Sequence, residues 1–175
     1  MRGVLQGLYR ASGIAAALLV AAIAVLTLAQ VAARLMGQIV PSADDFATFS
    51  MAGAIFLGLT ATYRAGVHIR VEGVLQRVAL PARRALELFS LVVAAASTGY
   101  LAWYTLDMVI TTYTFKEYTL GLMPIPKWLP MSSMLGGMLV FLVALLDDLV
   151  VLLAGGTPSY AQARAAAGPI GAAAE

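Results

Sequence analysis

The sequence has no cysteine, only one histidine among 175 residues, and just 11% charged residues. Each shortage removes a class of chemistry. Without cysteine there is no disulfide, no thiol redox couple and no thiolate metal site. With His68 alone, a haem gripped by paired histidines is excluded, and a zinc centre lacks ligands. Soluble domains carry about 25% charged residues. This chain is 61% hydrophobic with a mean hydropathy of +0.88, too little polar surface to cover a globule in water. It reads as an integral membrane protein. A crossing takes about 20 apolar residues, so the chain has room for four spans and none for a soluble enzyme domain.

What is present are four long apolar runs, near Ile14–Ala33, Phe46–Tyr63, Leu88–Ile110 and from Leu129 to at least Leu146. Arg2 and Arg10 ahead of Ile14 imitate a secretory leader, but the run continues to span length. Lipid offers no hydrogen-bond partner to an open sheet edge, and no period-two alternation suggests a barrel. The expected fold is all-α: four transmembrane helices over residues 1–154 and a flexible tail over 155–175, with at most a brief helix.

The arginines and lysines orient it. With both termini cytoplasmic, the inner side holds Arg2, Arg10, Arg64, Arg70, Arg77, Arg83, Arg84 and Arg164, while the outer side holds Arg34, Lys116 and Lys127. That eight-to-three bias follows the positive-inside rule. Between spans two and three, Val67, Val71, Val74, Leu75 and Val78 recur at helical spacing among polar residues. They predict an interfacial amphipathic helix, with Arg64, His68, Arg70, Arg77, Arg83 and Arg84 as anchors to anionic lipid.

Charge is scarce inside the spans. A charged residue near the bilayer centre costs about 2.5–3.5 kcal/mol on insertion scales and by default marks a transport or relay site. Spans one and two have none; Asp107 reads as lying near the outer end of span three, and Asp147 and Asp148 as solvated or snorkelling carboxylates at the inner end of span four. No paired broken helices point to a midplane site, and no nucleophile, base and orienting group form a constellation. The expectation is a non-enzyme without cofactor or nucleic-acid partner.

Two packing features stand out. Ser50, Ala54, Gly58 and Thr62 form a small-residue ridge on span two, and Ala17, Ala21, Val25, Ala29 and Ala33 a similar line on span one. Such ridges let backbones approach closely and drive helix association in lipid, so they read as faces toward each other or toward a partner. Ser42 and Asp45 approximate a capping box. Asp44 and Asp45 complement the helix dipole there and are candidates for docking a partner at the outer face.

Asp44-Asp45, Gly53 and Gly58, the run Tyr63-Arg-Ala-Gly-Val-His68-Ile-Arg70-Val-Glu72, and Leu122-Met-Pro-Ile-Pro-Lys-Trp-Leu-Pro-Met131 resemble motifs of one family. It is the small membrane subunit of tripartite ATP-independent periplasmic (TRAP) transporters. The chain departs from it in having Asp-Asp where Glu-Glu is frequent and no tryptophan in span two. The resemblance implies a small permease subunit of the bacterial inner membrane. Its partners would be a large membrane subunit, a periplasmic substrate-binding protein and membrane lipid. It would act as a static scaffold in sodium-driven uptake of an organic acid. The alternative is an independent small membrane scaffold or homo-oligomeric carrier.

Overall fold

Between Arg2 and Leu35 no proline interrupts the chain, and its polar residues, Arg10 and Ser12 among them, are all compatible with a helix. A single 34-residue helix results, α1 (Arg2–Leu35). At 1.5 Å per residue it is about 51 Å long, against about 30 Å of hydrocarbon. The computed structural model describes residues 2–66, 80–120 and 123–167. Its further helices are α2 (Ala43–Arg64), α3 (Leu80–Thr114), α4 (Trp128–Leu153) and α5 (Ser159–Ala167). The first four are long and apolar enough to cross a membrane. Among the described residues there is no strand, only an isolated bridge between Tyr118 and Pro126.

The expected spans are present, but α1 and α3 overrun them. The polar residues before Ile14 end the hydrocarbon stretch without ending the helix. Pro81 falls in the first turn of α3, where a missing N–H costs nothing. The predicted interfacial helix, with His68, Arg70 and Arg77, lies outside the described residues. Glycines supply two of the stops. Gly37 (φ 72°) and Gly155 (φ 78°) take left-handed backbone after α1 and α4, letting Gln38 N donate to Ala33 O and Gly156 N to Val151 O.

The helices stand in the order α1, α2, α4, α3, with α2 and α4 central. Burial follows that order: 33% of the α4 span is buried against 6% of the α1 span. The seam between α2 and α4 depends on Gly137. A Cβ there would collide with the backbone of Phe56 and lie 2.6 Å from Leu57 N. One turn away, a Cβ at Gly53 would sit 2.8 Å from Leu19 Cδ1 and 3.2 Å from Ser133 Oγ. Close backbone approach replaces the hydrophobic drive that lipid cannot supply. Ser12 Oγ adds a 2.7 Å bond to Leu57 O, tying α1 to α2.

The first turns of α1, the end of α2, the end of α4 and α5 meet at one end of the bundle, here the near end. Tyr9, Tyr63, Leu91, Leu145 and Tyr160 are buried there in one cluster. The α1–α2 turn and the α3–α4 loop form the far end. Within 155–175, read from sequence as a flexible tail, residues Ser159–Ala167 form α5.

Candidate functional site

Three places hold the polar and small residues that function would use. The first is the near end. Asp148 is 2% exposed, and its carboxylate accepts from Ser159 N and from Ser159 Oγ, both at 2.8 Å. It thereby supplies the first turn of α5 with acceptors and a negative charge at the positive end of the dipole. The expected solvated or snorkelling carboxylate is therefore a buried structural group; its neighbour Asp147 is half-buried. The reason lies in the turn Gly155–Pro158, which folds the chain back over the end of α4.

At the same end of the bundle aromatic residues pack on one another. Tyr63 meets Phe141 edge to face at 5.6 Å and Tyr160 at 5.7 Å. Arg64, one of the expected lipid anchors, is half-buried and its guanidinium lies 4.3 Å from the centre of the Tyr9 ring, a cation–π contact. A cleft of about 100 Å³ runs between Tyr9, Arg64, Asp147 and Gln162, enough for a few waters. Arg84 is exposed near the start of α3.

The second place is the far end. Ser42 adopts left-handed backbone (φ 54°) and makes no side-chain cap. Its hydroxyl instead accepts from Met123 N at 2.9 Å, so the expected capping box does not form. Asp44, exposed, accepts from Gln30 Nε2 at 2.7 Å and links α2 to α1; Asp45 is half-buried. The α3–α4 loop is held by a 3.0 Å ion pair between Lys127 and Glu117 and by Lys127 N donating to Glu117 O. Tyr113 packs edge to face on Trp128 at 5.8 Å.

The third place is the small-residue ridge of α2. Gly58 faces α1, where an added Cβ would stand 3.6 Å from Ala16 Cβ, ordinary contact. Ser50 and Ala54 are half-buried, and Thr62 is exposed with its hydroxyl bonded to Leu59 O at 2.9 Å. The span-one line does not meet this ridge, because Ala17, Ala21, Val25 and Ala29 are exposed while Ser12 and Ala16 face α2.

Sequence reasoning passed over Gly137, Tyr9 and the Asp148–Ser159 pairing. A glycine pair in the middle of the fourth span was a readable sign of close packing. The Asp148 contact was not, since it depends on a turn that brings back Ser159, eleven residues away.

The family described as tripartite ATP-independent periplasmic transporters, DctQ component, matches residues 23–155, well over half of the chain. The chain belongs to this family. No curated protein and no solved structure matches it. The match takes in α2, α3, α4 and the far-end loop, and it makes this a membrane subunit of a TRAP transporter, a transport family and not an enzyme family. In this chain the tightest approach lies between α2 and α4 at Gly137, while Gly53 sits between Leu19 of α1 and Ser133 of α4.

Proposed function

We propose that this DctQ component is a static scaffold for the large membrane subunit in binding-protein-dependent, sodium-driven uptake of an organic acid. It lies in the inner membrane with the near end cytoplasmic and the far end facing the periplasm. The observation that carries the reading is how the spans use their buried polar groups. These are Ser12, Thr60, Thr105, Thr112 and Asp148. Ser12 ties two helices together, Thr105 and Thr112 bond back to their own helix, Asp148 holds α5, and Thr60 alone of the five has no partner among the described residues. A helix row occupied in this way braces a neighbour and leaves ion and solute binding to the partner.

The orientation rests on the arginine bias, with Arg10, Arg64 and Arg84 at the near end. Arg64, His68, Arg70, Arg77, Arg83 and Arg84 would set the depth of the subunit against anionic headgroups. Asp44 and Asp45 would present a negative edge to the periplasmic binding protein. Purification from native membranes through a tag on this chain tests the assignment. A larger multi-span protein should accompany it in stoichiometric amount. Recovery of the chain alone, with transport intact in the same cells, would overturn it in favour of an independent membrane protein.

A further inference from the structure

The face of α3 turned away from α4 carries groups that lipid cannot satisfy. Toward α4 the helix presents Leu91, Ala95, Ala102, Thr105 and Thr112, all buried. On the opposite side, at helical spacing, stand Tyr100 (64% exposed), Trp103 (70%), Tyr104 (56%) and the exposed Asp107. Among the described residues nothing donates to or pairs with Asp107.

Depth decides what this means. Thr105 Oγ1 lies 3.7 Å from Met138 Sδ and Thr112 Oγ1 3.8 Å from Met131 Sδ, so Asp107 is level with the stretch of α4 just before Gly137. Counting from the Tyr113–Trp128 pair at the far end, Asp107 is about 9 Å deeper and Tyr104, Trp103 and Tyr100 about 14–20 Å deeper. The expectation that Asp107 sits near the outer end of its span is thus corrected: in a bilayer with about 30 Å of hydrocarbon it lies well inside. Lipid-facing tyrosine and tryptophan belong at the headgroups. Tyr100 and Tyr104, with ring centroids 4.7 Å apart, hydrogen-bond to each other, so the Trp103 N–H and the Asp107 carboxylate are the groups that call for protein partners at mid-depth.

We propose that this face of α3 is where a transmembrane helix of the large membrane subunit docks, presenting an arginine or lysine to the Asp107 carboxylate. The inference rests on the scaffold reading and names the surface through which it works. Charge complementarity selects the occupant. A second copy packed on the same face about a two-fold axis would set Asp107 against Asp107, whereas a cation on a foreign helix neutralises it. The broad aromatic surface around the carboxylate suits the buried centre of a protein interface, where tyrosine and tryptophan are enriched.

The test uses the assembled transporter in native membranes. A photo-crosslinking residue replaces Tyr104 on this face, or Leu18 on the exposed side of α1. Tyr104 should capture the large subunit. Capture of a second copy of this chain, or capture of the large subunit from Leu18 and not from Tyr104, would overturn the docking face while leaving the scaffold reading intact. Capture of no protein from either position, with the chain purifying alone, would overturn the scaffold reading itself. In a second arm, Asp107→Lys should lower recovery of the large subunit on the tagged chain by about tenfold, the scale of one interhelical polar contact. Asp107→Asn should lower it less. Unchanged recovery with Asp107→Lys would overturn the ion pair.

Discussion

Asp148 and Asp107 are both carboxylates on long apolar helices, and the fold treats them in opposite ways. Asp148 is sealed at the near end, where α5 folds back to give it two donors, in the end of the bundle that also buries Tyr63 and Tyr160. Asp107 is left on an outward face with exposed aromatic residues around it and no described partner. A buried polar group that is satisfied inside the chain belongs to its stability. One that is exposed at hydrocarbon depth belongs to an assembly. The two regions therefore separate what this subunit does for itself from what it offers to others, and substitutions at each should part in the same way.

The largest effect is expected where internal packing is tightest. Gly137→Leu would drive a side chain into the Phe56–Leu57 backbone, which cannot yield as a flexible side chain can. Folded, detergent-soluble protein should be lost, as measured by monodisperse recovery on size exclusion. Gly58→Ala is the control, since its new Cβ meets only Ala16 at ordinary distance and should shift the thermal midpoint little. Equal behaviour of the two would mean that the α2–α4 seam is not the determining contact.

Next comes Asp148→Ala. It strips two hydrogen bonds from the start of α5 and leaves Ser159 N–H and hydroxyl without an acceptor, a loss of about 2–3 kcal/mol by capping and unsatisfied-group costs. Hydrogen exchange over residues 159–167 should accelerate most, while Asp148→Asn, which keeps one acceptor, should fall between. Unchanged protection of α5 in Asp148→Ala would sever the near-end half of the comparison. Asp107→Leu sharpens the other half. In the isolated chain it removes a charge from an apolar face and should leave the thermal midpoint unchanged or raise stability by no more than about 1 kcal/mol. A strongly destabilised isolated Asp107→Leu would mean that this carboxylate, too, is spent within the chain.

The two carboxylates also mark how far the sequence could be read. Apolar runs of span length fix the number of crossings, because bilayer thickness is a simple ruler. Helix ends resist the same ruler: Arg10 and Ser12 leave hydrocarbon yet remain helical, so α1 begins twelve residues before the expected Ile14. Charge spacing placed Asp107 and Asp148 on their helices but put the first too near the outer end of its span and the second in solvent. Depth needed the register between α3 and α4, visible in Thr105 against Met138. Burial needed the turn at Gly155, which brings Ser159 back to Asp148. Ser42 misled for a related reason: its hydroxyl is claimed by Met123 N, far away in sequence.

The smallest effect concerns a group that fits neither side of the comparison. Thr60 is fully buried, and its hydroxyl has no partner among the described residues. It lies three residues beyond Leu57, on the α2 side that faces α4. A hydroxyl orphaned inside a helix seam contributes nothing that its methyl does not, and it carries the cost of lost hydration. Thr60→Val, which keeps the branched shape, should therefore be neutral or stabilising by about 0.5 kcal/mol. Thr60→Ser removes the methyl, leaves a small void and should destabilise by about 1 kcal/mol. Both are read from thermal unfolding in detergent. If valine proved the worse of the two, the hydroxyl would have a bonding partner in the seam, and Thr60 would join Asp148 among the groups satisfied from within.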